Sequence, residues 1–117
     1  MGELPIKERD AGDVVILDLC DNLTICEDAA TLHHTIRRLL DKSKTKILLN
    51  LAKVQWVDSS GLGTLVSIYV TITKAGGQVK LLHVKRNIQE VMAITQLSEI
   101  FDTYEDELTA LNDFPKD

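Results

Sequence analysis

The chain has 117 residues, of which 44% are hydrophobic, 26% are charged and only 4% are aromatic. These values predict one globular, soluble domain with an aliphatic core. The formal net charge of −5 argues against generic nucleic-acid binding, which requires a basic face to neutralise phosphates. Cys20 and Cys26 form neither a disulfide framework nor a zinc-ligand pattern, and no signal peptide or membrane-spanning stretch is visible, so a cytoplasmic protein is expected.

In the first half of the chain, the spacing of the apolar residues changes from strand-like to helical. Residues 4–10, LPIKERD, predict an edge strand because a sheet edge tolerates proline, and residues 13–19, DVVILDL, predict a β-branched strand. Thr24 and Glu27 then have the spacing of a capping box, in which each side chain satisfies a free amide of the first helical turn. Apolar residues recur at helical spacing behind them, so a helix is expected there.

The second half repeats this alternation of strands and helices. Residues 46–57, KILLNLAKVQWV, begin as a nearly continuous apolar run, which is typical of a central strand covered on both faces. A helix should follow and end at the AGG of residues 75–77, since glycine tolerates the conformation that helix ends often need. Four further elements are expected in order: a strand at 78–84, a helix opened by a capping box of Asn87 and Glu90, a short strand at 99–104 and a helix at 105–114.

Strands that alternate with helices at this spacing predict an α/β fold with right-handed crossovers. We expect a single domain over residues 1–117, with its core at about residues 4–112 and a short frayed C-terminal tail. The sheet should be mixed but mostly parallel, with four to five strands and about four helices.

The segment VDSSGLG, residues 57–63, places polar and flexible residues where a buried strand ends, which is where such folds collect ligands. Read as a tight turn, it would use Ser59 or Ser60 as the helix cap, and Gly61 and Gly63 for a close backbone approach. Read as a nucleotide cradle, it lacks the third glycine of G-x-G-x-x-G and the P-loop lysine. Read as a serine nucleophile, it lacks the first glycine of G-x-S-x-G, and none of the three histidines is placed near the turn by sequence.

A regulatory phosphoacceptor is the fourth interpretation. A hydroxyl at a helix N-terminus is exposed, and the free amides and positive dipole end accommodate a phosphate. Phosphorylation adds about −1.5 to −2 charges, which beside Asp58 would oppose any partner that docks on the turn. A switch that acts by lost binding is therefore physically natural, but the residues alone do not choose between the two serine hydroxyls.

The motif VDSSGLGTLV resembles the signature of the STAS domain, and specifically of bacterial anti-sigma factor antagonists. The similarity extends over nearly the whole chain and includes VVILDL, KILLNLAKVQWV, AGGQVKLLHV and the acidic final helix. It implies a non-enzymatic protein that binds an anti-sigma factor serine kinase and so releases the sigma factor. Phosphorylation by the kinase at Ser59 switches binding off, and a metal-dependent phosphatase reverses it. The implied docking residues around Ser59 are Asp58, Ser60, Gly61, Leu62 and Gly63; the kinase supplies nucleotide and magnesium, so no cofactor or metal is expected here.

One loop departs from the family pattern. The family has G-x-L-D after the second strand, whereas this chain has DNLTICED at residues 21–28, which is about one residue longer. Because that loop contributes to kinase docking in the family, the resemblance also implies contacts from Asp21, Asn22 and Thr24. The change leaves open an alternative function as a STAS module in a phosphorylation-controlled relay or scaffold that does not act on a sigma factor. In either case a monomer or weak dimer, without nucleic-acid or membrane partners, is expected.

Overall fold

The computed structural model of the chain describes residues 6–19 and 27–116. In this part of the chain, five strands form one sheet in the order β1-β2-β3-β4-β5. The strands are β1 (Ile6–Ala11), β2 (Val14–Leu19), β3 (Lys46–Asn50), β4 (Gln78–Leu82) and β5 (Thr103–Tyr104). The helices are α1 (Glu27–Asp41), α2 (Ser59–Lys74), α3 (Arg86–Ile94) and α4 (Glu107–Asn112), with a 3₁₀ turn at Leu97–Glu99. None of these helices is both long and apolar enough to cross a membrane.

The sheet is mixed, with one antiparallel edge. β1 pairs antiparallel with β2 through a turn in which Gly12 has a φ of 65°, and every later pair of neighbouring strands is parallel. β1 is therefore the predicted edge strand, and β3 occupies the centre of the sheet. The predicted α/β fold class is confirmed.

The core has two parts, one on each face of the sheet. The larger part lies between the sheet and helices α1, α2 and α3, and the smaller part lies between the sheet and α4. In β3, Ile47 and Leu49 face the larger part and Leu48 faces the smaller one, and all three are fully buried. A central strand covered on both faces cannot alternate apolar and polar residues, which explains its continuous apolar run.

Several predicted boundaries differ from the structure near the C-terminus. The strand expected at 99–104 is only Thr103–Tyr104, because Glu99 belongs to the 3₁₀ turn and residues 100–102 are irregular. The last helix is Glu107–Asn112, and its cap, Asp106, accepts a hydrogen bond from the backbone amide of Thr109 at 2.9 Å. Phe114 follows that helix and is 3% exposed, so the packed core extends beyond the expected limit of residue 112.

The two predicted capping boxes have different outcomes. Helix α3 begins at Arg86, and its cap residue, Lys85, makes no side-chain capping hydrogen bond. The capping role predicted for Asn87 is therefore wrong, since Asn87 already lies inside the helix and its side chain bonds elsewhere. Thr24, which was expected to cap α1, lies outside the described residues.

Candidate functional site

Helix α2 begins immediately after the loop that leaves the central strand, and Asp58 caps it. Asp58 has an extended backbone, with φ −90° and ψ −177°, and its Oδ1 accepts a hydrogen bond from the amide of Gly61 at 2.8 Å. Its carbonyl accepts the amide of Leu62 at 2.9 Å. The expectation that Ser59 or Ser60 caps the helix is therefore wrong. Aspartate is as good a cap as serine, and its charge also favours the positive end of the helix dipole.

The two serines are the first two residues of α2, and both are exposed. The carbonyl of Ser60 accepts a hydrogen bond from Oγ1 of Thr64 at 3.0 Å, one turn further along the helix. Exposure does not distinguish Ser59 from Ser60, so the assignment of the phosphoacceptor to Ser59 still rests on the motif. The structure does bring Asp58, Ser59 and the residues up to Gly63 together in little more than one helical turn.

The remaining motif residues, Gly61, Leu62 and Gly63, differ in how deeply the fold buries them. Gly61 is buried, and Leu62 is half-buried against the larger core. Gly63 is exposed, and a methyl group added to its α-carbon would meet no atom within 4 Å. The close backbone approach expected at Gly63 is therefore absent inside the described structure. Its lack of a side chain leaves the surface of α2 bare one turn beyond Ser59.

Predicted docking residues on the other loop, Asp21, Asn22 and Thr24, lie outside the described residues. The site described here therefore consists of the β3–α2 loop and the first turn of α2.

Hydrogen bonds that involve three side chains hold the β3–α2 loop in place. Nζ of Lys85 donates to the carbonyl of Ala52, and Nδ2 of Asn87 donates to the carbonyl of Gln55 at 2.9 Å. Oδ1 of Asn50 accepts the amide of Ala52 at 3.0 Å. The loop that presents Ser59 is thus fastened to the start of α3. The sequence offered a misleading signal for Asn87, which fits a capping position, and none for Lys85.

An ion-pair network continues from Asn50 along the face of the sheet that α4 covers. Nδ2 of Asn50 donates to Oδ1 of Asp18 at 2.7 Å, and the guanidinium of Arg9 forms two hydrogen bonds with Asp18, at 2.6 and 2.9 Å. Arg9 also pairs with Glu107 of α4 at 2.9 Å. The hydrogen bonds from Arg9 hold the pKa of the Asp18 carboxyl below its usual range, although partial burial opposes the shift. The same two carboxylates raise the pKa of Arg9.

Among the described residues, the histidines are not brought into contact with the serines. His33 and His34 lie on α1, and His83 follows β4 with a φ of 58°. Within the described residues, no histidine side chain hydrogen-bonds to Ser59 or Ser60. The same part of the chain contains no group of three His, Cys, Asp or Glu residues placed to hold a metal ion. The described part of the site offers exposed hydroxyls at a helix N-terminus.

Known proteins resemble this chain along most of its length. The family model of the STAS domain matches residues 7–110. A candidate anti-sigma factor antagonist of Thermotoga neapolitana is 32% identical over 93 residues, which cover 80% of this chain and 82% of that protein. The anti-sigma F factor antagonist of Paenibacillus polymyxa is 29% identical over 89 residues, covering 69% of this chain and 76% of that protein. The crystal structure of a candidate anti-sigma factor antagonist from Thermotoga maritima, 29% identical, matches with a TM-score of 0.81 over 95% of each chain. The chain therefore belongs to the STAS domain family.

Proposed function

We propose that this protein is an anti-sigma factor antagonist controlled by reversible phosphorylation of Ser59. In this role it binds an anti-sigma factor that is also a serine kinase, so the sigma factor is released, and it catalyses no reaction itself. Relatives that carry the name anti-sigma factor antagonist support the general role. The observation that carries the proposal in this chain is the exposed hydroxyl of Ser59 at the first position of α2, directly after the capping carboxylate of Asp58.

The position of Ser59 suits a switch that leaves the fold intact. A phosphate there would point to solvent near the positive end of a 16-residue helix, so no buried group has to move. It would add about −1.5 to −2 charges beside Asp58. A partner that closes over this turn would have to desolvate that concentrated charge, which is costly unless it is fully paired. Binding is therefore lost while the protein stays folded.

Gly63 provides independent support for a docked partner. Glycine inside a helix costs about 0.5–1 kcal/mol relative to alanine. The exposure of Gly63 and the open space around it show no contact within the described structure that would require glycine. A partner that approaches the α2 backbone closely, four residues after Ser59 on the same helix face, does require it. We assign the docking surface to Asp58, Ser60, Leu62 and Gly63, which the buried Gly61 helps to shape, with Asp21, Asn22 and Thr24 expected to contribute from outside the described residues.

Incubation with an anti-sigma factor kinase from the same organism and γ-labelled ATP tests this function. The wild-type chain and Ser60→Ala should be labelled, whereas Ser59→Ala should not, and a metal-dependent phosphatase should remove the label. Ser59→Asp should weaken the complex with the kinase by about tenfold or more. Persistent labelling of Ser59→Ala, or unweakened binding of Ser59→Asp, would contradict the proposal. A kinase that binds and labels the chain without releasing a sigma factor would instead favour the relay or scaffold function.

A further inference from the structure

We infer that the kinase that docks at Ser59 also covers an apolar stripe running from Trp56 along helix α3. This apolar stripe consists of Trp56, Val91 and Ile94, which are 48%, 36% and 82% exposed. The inference rests on the proposed function, because it extends the docking surface of the same partner.

The periodicity of α3 separates this stripe from the core. Asn87, Val91 and Ile94 are spaced by four and three residues, so they share one face of the helix. The buried residues of α3 are Ile88 and Met92, which belong to a different face. The fold therefore leaves Ile94 almost uncovered, whereas it covers most of Val91, and an isoleucine that is 82% exposed gains little from folding.

A hydrogen bond connects this helix face to the phosphoacceptor loop. Nδ2 of Asn87, at the N-terminal end of the stripe, donates to the carbonyl of Gln55 at 2.9 Å. Gln55 precedes Trp56, and Ser59 follows three residues later at the start of α2. From Asn87 the stripe continues for about 10 Å along α3, at 1.5 Å per residue. The N-terminal end of this face of α3 is thus joined to the loop that leads into the first turn of α2.

The size of a stable interface argues for such an extension. A specific complex usually buries about 800 Å² on each partner. The first turn of α2 exposes mainly two serines and a glycine, which is too little surface for that area. Partners that dock there must also contact neighbouring residues, and aromatic and aliphatic side chains are the groups that interface centres favour. Arg86 and Glu90, which are exposed on the same helix, provide a polar rim.

The kinase is a better occupant of the stripe than a second copy of this chain. Because Trp56 stands three residues before Ser59, a symmetric dimer through the stripe would compete with the kinase for the surface beside the phosphoacceptor. A kinase that uses the stripe for docking approaches Ser59 in the same binding event. The stripe then raises affinity for the kinase without contacting the transferred phosphate.

Ile94→Asp tests the inference, with Leu108→Asp as the matched control. Leu108 is also a highly exposed aliphatic residue, at 70%, but it lies on α4, across the sheet from α3. Ile94→Asp should raise the Kd for the kinase about tenfold or more, and Leu108→Asp should leave it unchanged. Both variants should unfold at nearly the wild-type temperature, since both side chains are exposed. Trp56 is the only tryptophan, so its emission should shift to shorter wavelength when a tryptophan-free kinase variant binds.

The outcomes separate this inference from the proposed function. If the wild-type chain is labelled at Ser59 but Ile94→Asp binds the kinase as tightly as wild type, the stripe is not docked and the inference is wrong. Equal losses of affinity in Ile94→Asp and Leu108→Asp would also overturn it. If sedimentation shows a self-association that Ile94→Asp abolishes, the stripe is an interface between two copies of this chain and the inference is wrong. If the wild-type chain is neither bound nor labelled, it is the proposed function that fails.

Discussion

Replacing Gly63 with alanine should stabilise the fold and weaken the complex with the kinase. The added methyl group meets no atom within 4 Å in the structure, and Gly63 lies in the regular part of α2 without a positive φ. The change therefore creates no clash, and it removes the conformational freedom that glycine has in the unfolded chain. We expect a gain of about 0.5–1 kcal/mol in the free energy of unfolding. For a domain of this size, that corresponds to a rise of roughly 2–4 °C in Tm.

The same methyl group should interfere with docking. It projects from the exposed surface of α2, one turn beyond Ser59, where we propose that the partner contacts the helix backbone. A side chain at this point keeps the two surfaces apart and leaves small gaps around it, which forfeits dispersion contacts. We expect a rise of about fivefold or more in the Kd for the kinase, equivalent to about 1 kcal/mol.

Urea denaturation followed by circular dichroism measures the stability, and titration calorimetry with the kinase measures the affinity. Thr73→Ala is the matched control, because Thr73 is exposed near the other end of α2 and its change to alanine also favours the helix. The control should gain stability without losing affinity. A Gly63→Ala variant that is destabilised would refute the reading of open space at this position. One that is stabilised but binds the kinase normally would remove Gly63 from the docking surface.

Three further predictions concern the helix cap, the ion-pair network and the end of the core. Asp58→Ala should lower the free energy of unfolding in urea by about 1 kcal/mol and Asp58→Asn by only a few tenths, since asparagine also caps; equal losses would refute capping by the side chain. Arg9→Gln should destabilise by up to about 1 kcal/mol near pH 7. Arg9 lowers the pKa of Asp18 in the folded state, so this stabilisation is present above the pKa of about 3.9 that Asp18 has in the unfolded chain, and it is lost as the pH falls through the folded-state pKa. A difference in stability between wild type and Arg9→Gln that does not change with pH would contradict this account. Phe114→Ala should cost about 3 kcal/mol or more in urea denaturation, and a loss below about 1 kcal/mol would place Phe114 outside the core.

The strands and long helices could be predicted because their burial follows from local spacing. The continuous apolar run of β3 identified the central strand, and the apolar residues that recur at helical spacing after Glu27 identified α1. The short elements near the C-terminus were harder to predict, because two residues of strand and three of 3₁₀ turn contain too few residues to show a period. Their positions depend on packing against the sheet.

The supporting contacts of the site could not be predicted, because they join residues that are far apart in the sequence. Asn87 matches a capping box in the sequence, but its amide is used 32 residues away, at the carbonyl of Gln55. The link from Arg9 to Glu107 spans 98 residues. Local patterns contain no information about such pairs. The capping role of Asp58 was within reach, since aspartate is a strong cap and it stands directly before the first residue of α2.

Some side chains at the site form hydrogen bonds that hold the structure, and others are exposed and contribute little to folding. Asp58, Asn50 and Asn87 are polar side chains whose hydrogen bonds fix the helix start and its loop, so they are expected to affect stability when changed. Ser59, Gly63 and Ile94 are exposed and contribute little to folding. The hydrogen bonds that fix the helix start and its loop do not involve the hydroxyl of Ser59, so they would remain when that hydroxyl carries a phosphate. Because this support stays fixed, the added charge would act on the docked partner and not on the fold, as a reversible binding switch requires.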